Sequence, residues 1–342
     1  MDTQPLARTV GFKTGERNVF FHLLTACNLS CRHCYINPDQ HGVQTLELET
    51  VLQWLQLFSD QEIQSNLILL GGEPTMHPDL AQIIKAAKSM GFAVTVDTNG
   101  FLFHDLLDKV TPKELDYLSF SLDGPEAAVN DPIRGTGVFA TCTANIKKAV
   151  ARGFATSLIY TVSSLNIDHL YRMPELVEEL GIDRFFIQVI GLRGKSATTN
   201  ESDEPGWQVD PERWLDVVPR VAADAAARGI HVVYPKVYLE PAENFECAGV
   251  VAENYFVFPN GRVYQCPLCE DHPIHSYEIK AGKLCHRSGL NEDRFFPLSI
   301  PEGCVMNKLL QPENISYQEN GKPEHRISCC LLKQEMVPIK KK

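Results

Sequence analysis

No stretch of the 342 residues approaches the roughly 20 consecutive apolar positions that a membrane-spanning helix needs, so no membrane span is expected. The amino-terminal segment MDTQPLARTVGFKTGERN also lacks the apolar core of a signal peptide. Basic charge is in deficit: 32 Lys and Arg stand against 43 Asp and Glu, and the net charge of −11 argues against nucleic acid as a partner. The one basic run, Lys340-Lys341-Lys342, is terminal. Internal repeats and low-complexity segments are absent. What remains is a cytoplasmic globular chain, 44% hydrophobic, long enough for roughly two domains and for a core that needs no disulfide staples.

Cysteine, by contrast, is plentiful. Eleven residues cannot all pair, and in a reducing compartment they read as metal ligands or free thiols. Three of them, Cys27, Cys31 and Cys34, fall within LLTACNLSCRHCY, directly after an apolar run read as a strand. Three thiolates in so short a loop can converge on one soft metal centre. Iron–sulfur cubes are usually closed by four cysteines, so three local ones point to a cube with one iron open to another ligand. The competing reading is tetrahedral zinc, with His22 or His33 as fourth ligand.

Strand-like runs at about 19–25, 67–71, 92–98, 117–122, 156–163 and 184–190 alternate with helical periodicity at Leu46 to Phe58, Leu80 to Met90, Val138 to Arg152 and Ile167 to Leu180. Alternation of this kind predicts βα units around a parallel sheet. Six units are too few for a closed eight-fold barrel. The polar stretch Gly194 to Gly206 reads as a linker or active-site loop, followed by a helix from Pro211 to Arg228 with Asp210 as cap. The expected organisation is an extension at 1–18, a first domain at 19–208 and a second region at 209–342. With only about 18 residues before the first strand, no fused peptide-recognition domain is expected at the amino terminus.

Four motifs in order give the chain its resemblance to a known family: the cysteine triplet followed by Tyr35; Leu67-Ile68-Leu69-Leu70-Gly71-Gly72-Glu73-Pro74; Asp97-Thr98-Asn99-Gly100; and Ser119-Phe120-Ser121-Leu122-Asp123-Gly124. Over about residues 19 to 190 the chain resembles the radical S-adenosylmethionine (SAM) superfamily. The resemblance implies an α/β fold, a partial (β/α)6 TIM-like barrel with its active site at the strand C-termini. It also implies a 4Fe–4S cluster that binds SAM and cleaves it reductively, releasing a 5′-deoxyadenosyl radical. Carried over residue by residue, it makes Cys27, Cys31 and Cys34 the cluster ligands. It makes His33, Gly71, Gly72, Glu73, Pro74, Asn99, Ser119, Ser121, Asp123 and Gln188 the cofactor-binding residues: glycines for close backbone approach, Glu73 for the ammonium, Ser119, Ser121 and Asp123 for the ribose, His33 and Gln188 for the adenine. Ser119 and Ser121 share one strand face and could equally just line the barrel.

The carboxy-terminal region carries seven cysteines. Asn254 to Phe258 and Arg262 to Gln265, joined by Pro259-Asn260-Gly261, read as a hairpin that presents Cys266. The pattern Cys247-x13-Gly261-x4-Cys266 resembles the opening of a SPASM domain, the auxiliary-cluster extension of the superfamily; a later cysteine trio is missing, so the shortened twitch version fits better. That implies a small α+β domain with an auxiliary 4Fe–4S cluster on Cys247, Cys266, Cys269 and Cys304. Cys285 reads as a surface thiol and Cys142 as a packing residue. Sulfatase-maturing relatives place an acidic residue after the hairpin cysteine; here Pro267 stands there, with Glu270 and Asp271 displaced. The expected function is oxidation or maturation of a peptide or small-molecule substrate, with a low-potential donor such as flavodoxin or ferredoxin. The alternative from another class is a cysteine-rich metal-binding interaction module without SAM chemistry.

Overall fold

The computed structural model describes residues 7–60, 62–103, 105–197 and 206–338; most of the polar stretch after residue 197 and the terminal lysines lie outside them. The strands, in chain order, are β1 Arg8–Val10, β2 Glu16–His22, β3 Gln64–Leu70, β4 Ala93–Thr98, β5 Tyr117–Ser121, β6 Thr156–Val162, β7 Arg184–Val189, β8 His231–Pro235, β9 Tyr238–Leu239, β10 Glu253–Val257, β11 Arg262–Tyr264, β12 Tyr277–Lys280, β13 Lys283–His286, β14 Arg326–Ile327 and β15 Lys333–Met336.

Six parallel strands, β2 to β7, stand side by side as the sequence predicts. Their crossovers carry helices Leu48–Gln56, Leu80–Ser89, Val138–Ala151 and Met173–Leu180. Alternate strand residues, among them Phe21, Leu67, Val96, Phe120, Leu158 and Phe185, pack outward against these helices as one core. The intervening residues face the lumen. The helix expected over Ile167 to Leu180 divides into a 3₁₀ segment, Ile167–Arg172, and an α-helix beginning at Met173. Pro174 accounts for the break, because proline suits a first helical turn and not an interior.

Two differences from the sequence reading matter. First, β2 starts three residues earlier than expected, at Glu16. The polar residues there are held by a cross-strand asparagine ladder: Asn66 donates to Asn18 (2.9 Å), and Asn18 donates to Asn254 (3.1 Å). Second, the carboxy-terminal strands extend the same sheet. β8 lies parallel beside β7, and β10 lies parallel beside β2, so the parallel run is eight strands wide. The Asn260-Gly261 hairpin pairs β10 with β11 as predicted, and β12 and β13 continue it antiparallel. A second, smaller core lies beneath this region and includes Cys269 and Cys304.

Candidate functional site

The cysteine loop leaves β2 at the carboxy-terminal edge of the parallel sheet and is pinned from three sides. The Gly71–Pro74 turn, at the end of β3, donates to it from Gly72 N to Leu24 O (2.9 Å) and from Glu73 N to Ala26 O (3.0 Å). A Cβ on Gly72 would stand 2.1 Å from Ala26 O, and one on Gly71 would stand 2.7 Å from Leu24 O. The glycines thus admit the chain's own loop to the end of β3. On another side Arg32 N donates to Ile133 O (2.9 Å), and on the third Lys195 N donates to Cys34 O (2.9 Å).

Glu73 is 1% exposed and spans two strand ends. Its Oε1 accepts from Thr75 Oγ1 (2.6 Å), Thr75 N (3.1 Å) and Thr98 Oγ1 (2.7 Å), and its Oε2 accepts from Asn99 N (2.7 Å). One oxygen is saturated by the protein; only Oε2 keeps room for a further donor. Pro74 begins the buried turn Pro74–Met76. Asn99 links the end of β4 to the cysteine loop, its Nδ2 donating to Asn28 Oδ1 (2.9 Å) and approaching Cys27 Sγ (3.7 Å).

Asp123 and His33 are engaged differently from the sequence reading. Asp123 is fully buried. Its Oδ1 accepts from Thr161 N (2.9 Å), while Oδ2 lies 2.6 Å from Arg134 Nε and 3.2 Å from His33 Nε2. It ties the cysteine loop to β6 and to the helix Ala127–Arg134, which leaves no carboxylate face open to a ribose. His33 is turned to that pair, with its ring 6.0 Å from Trp207; burial lowers its pKa, and the Asp123 carboxylate works against that fall. His22 is committed as well: Nδ1 bonds Val257 O (3.0 Å), which fixes the proton there and makes Nε2 the acceptor from Tyr35 OH (2.8 Å). Neither histidine is directed to the thiols as a zinc ligand would be.

The lumen wall above this floor is polar. Asp97, Ser119 and Ser157 share one register row across β4, β5 and β6; Ser121, Ile159 and Phe186 form the next, and Thr161 pairs with Gln188 nearer the strand ends. Ser119 is buried, Ser121 and Asp97 are half-buried, and Gln188 is exposed. Sequence reasoning quoted Asp97 within a strand-end motif without giving it a role, though it was legible as a charge at an inward position of an alternating strand; it missed Arg134, which ends the short helix Ala127–Arg134 that the sequence reading left out.

Cysteines from the carboxy-terminal half gather in a second place. Cys247 contacts Cys329, Cys266 contacts Cys269, and Cys329 contacts Cys330; Cys304 and Cys330 both feel the Cys266 and Cys329 thiols. The four residues expected here do come together, and Cys329 and Cys330, which were left out, join them. Chain order had hidden this, since β14 and the turn after it are brought back by Cys304 N donating to Ile327 O (3.1 Å). Cys285 is exposed on β13 and Cys142 is buried in a helix, as expected. No three His, Cys, Asp or Glu side chains among the described residues converge as around a single ion. Thiols are nonetheless the soft donors that an iron–sulfur cluster takes. The thiol of Cys31 is raised by burial and partly relieved by Arg134, and burial pushes Cys27 up to about 11, so loading the first site must expel protons.

The profile of the Radical SAM superfamily matches residues 22–193, half of the chain. The chain belongs to that superfamily. Membership makes this radical SAM protein an enzyme of a 4Fe–4S cluster and SAM, and the three-thiol loop beside a polar lumen fits both. It is 28% identical to the pre-heme d1 synthase of Dinoroseobacter shibae over 62% of this chain and 52% of that protein. It is 30% identical to the AdoMet-dependent heme synthase of Methanosarcina barkeri, over 57% and 56% respectively. The match thus spans little more than half the length of these relatives. Among solved structures, SuiB of Streptococcus suis bound to S-adenosylmethionine superposes with a TM-score of 0.61 at 14% identity, over 78% of this chain and 63% of that one. Native anSMEcpe with bound AdoMet gives 0.56 at 14% identity, over 73% and 74%. At such identities these two likenesses speak for the fold.

Proposed function

We propose that this radical SAM enzyme oxidises or matures a peptide or small-molecule substrate held in the lumen, with residues 19–208 carrying the SAM site and 209–342 an auxiliary 4Fe–4S cluster. The observation that carries the reading is the junction of the cysteine loop with the Gly71–Pro74 turn, which sets three thiols at the mouth of a polar lumen. Bound there, a cluster with SAM supplies one-electron cleavage of the sulfonium, to methionine and a 5′-deoxyadenosyl radical. The chain's residues supply the rest. Cys27, Cys31 and Cys34 would hold the cluster. The backbone of Gly71 to Glu73, with Glu73 Oε2, would receive the ammonium. Ser121 and Gln188 would face the nucleoside across the lumen. Asp123 and His33 act beneath it, steadying the loop through Arg134.

The second site supports an auxiliary cluster because it gathers more thiols than one cube needs. Two of the six are then spare, and Cys247, Cys266, Cys304 and either Cys269 or Cys329 form the ligand set. Solved neighbours include SuiB bound to its precursor peptide SuiA and anSMEcpe with a Cys peptide, while the sequence relatives include heme synthases, so both substrate classes belong to the proposal. A flavodoxin- or ferredoxin-type donor would deliver the electron.

The test is anaerobic reconstitution. Wild type should bind about eight irons, two cubes of four, and release 5′-deoxyadenosine with dithionite. Cys31→Ala should retain about four irons and lose that release. Release at the wild-type rate from Cys31→Ala would sink the SAM assignment, and four irons in wild type would sink the auxiliary cluster alone.

A further inference from the structure

The two cysteine sites are joined by one loop. After β7 the segment Gly191–Ser196 runs between them. On one side Lys195 N donates to Cys34 O (2.9 Å), and Gly194 packs so tightly that a Cβ there would stand 2.5 Å from Cys34 O and 2.7 Å from Tyr35 C. Its φ of +53° is also a glycine conformation. On the other side Gly194 N donates to Asp271 Oδ2 (2.8 Å), and Asp271 Oδ1 accepts from Asn37 Nδ2 (2.9 Å). Between them lies Arg193. Its Nη1 donates to Glu270 Oε2 (2.7 Å) and to Pro267 O (3.1 Å), and its guanidinium stands 5.8 Å over the Tyr35 ring. Pro267 and Glu270 bracket Cys269 in sequence, and Tyr35 follows Cys34.

Arg193 therefore touches the turn of the second site and the aromatic ring beside the first. Glu270 is 3% exposed at its side chain, so the pair has little water to relax into. The far end of Tyr35 is fixed too, by its hydrogen bond to His22. A displacement of the Pro267–Asp271 turn bears directly on Arg193 and Gly194, which lie against Tyr35 and Cys34. Packed contacts of this sort carry coupling when one element has two arrangements; here the element is the turn, with Cys266 and Cys269 either holding a cluster or free.

We propose that Arg193 is a positioning residue that transmits the state of the carboxy-terminal cysteine site to the Cys34–Tyr35 segment, so that loading the second site tunes the electronic properties of the SAM-binding cluster. This rests on the two-site reading above. Coupling of this kind is reciprocal in binding terms: a filled second site favours the loop geometry of the first, and the reverse.

The experiment is a double-substitution cycle on the reconstituted full-length chain, with Cys266→Ala and Arg193→Met singly and together. The readout is the midpoint potential and electron paramagnetic resonance spectrum of the cluster whose signal changes on SAM addition. Cys266→Ala, which removes a ligand common to both candidate sets beside the Pro267 carbonyl that Arg193 holds, should shift that potential in the native background and leave it unshifted in the Arg193→Met background; Arg193→Lys should restore part of the shift. No shift on Cys266→Ala overturns the proposal. So does a shift that persists in Arg193→Met, which would route the effect through space or through Arg262, whose guanidinium donates to Cys269 O (2.5 Å) and to Gln40 Oε1 (2.7 Å). Should Arg193→Met lose iron at the first site, Asp271→Asn, which removes charge from the Gly194 contact, takes its place in the same cycle. Iron content separates the readings: four irons in wild type defeats the auxiliary cluster, whereas eight irons with an additive cycle defeats only the coupling.

Discussion

Asp97 faces the lumen from β4 with no Lys, Arg or His within 4 Å among the described residues. Burial raises its carboxyl from the ordinary 3.8 to about 7; the Ser119 hydroxyl pulls the other way, and Glu73 adds to the rise. Between those values the folded chain holds a proton that the unfolded chain has released. Stability therefore falls as pH rises from about 4 to about 7, and the loss is complete above the folded value. At roughly 1.4 kcal/mol per pKa unit the ceiling is about 4 kcal/mol, and the open lumen lowers it. Asp97→Asn removes the penalty, so thermal melts of cluster-free protein should show a larger gain at pH 8 than at pH 5. An equal gain at both would mean that the carboxylate is well solvated. Glu73 differs from Asp97 in kind. Burial raises it as well, but four donated hydrogen bonds offset part of that rise, so the carboxyl that joins two strand ends is anchored where Asp97 is not.

At the scale of elements, the cysteine loop and the turn after β3 form one unit. Gly72 decides it, since its missing side chain is the space that Thr25 and Ala26 occupy. The obstructing atoms are backbone and cannot rotate aside. Overpacking costs about 1–3 kcal/mol where side chains yield, and a rigid backbone puts Gly72→Ala at or beyond the upper end. Denaturant unfolding should register that loss, and reconstitution should return a first site depleted of iron while the carboxy-terminal site fills normally. Wild-type stability with full iron at both sites would show that the loop does not depend on this turn. The Asn260-Gly261 hairpin was legible because its turn chemistry is local. The parallel pairing of β10 with β2, 231 or more residues distant in sequence, was not, because no local pattern names a partner strand.

For the molecule as a whole, the boundary expected near residue 208 cuts a continuous sheet. β8 covers the free edge of β7 and β10 covers that of β2, so residues 1–208 expressed alone would bare two parallel edges along with the apolar faces beside them. Uncovered edges are templates for pairing with other chains. The 1–208 fragment should therefore aggregate, where the full chain elutes as a defined species in size-exclusion chromatography. A soluble, monomeric fragment with a native-like circular dichroism spectrum would instead mark residue 208 as a true domain limit.

The sequence by itself determined the six βα units, the helix stops and the three-thiol loop, because strand alternation, helical periodicity and cysteine spacing are local properties that a few neighbouring residues carry. It also marked the Gly-Gly turn, though not its reason: the glycines serve the approach of residues 24–26, a contact between segments more than 40 residues apart. Only the tertiary structure decided that Asp123 and His33 face each other and Arg134 instead of open space, that Cys329 and Cys330 join the second thiol group, and that Arg193 lies between the two sites. Each of these depends on which strands become neighbours, and that is settled by burying the apolar faces of the whole sheet at once.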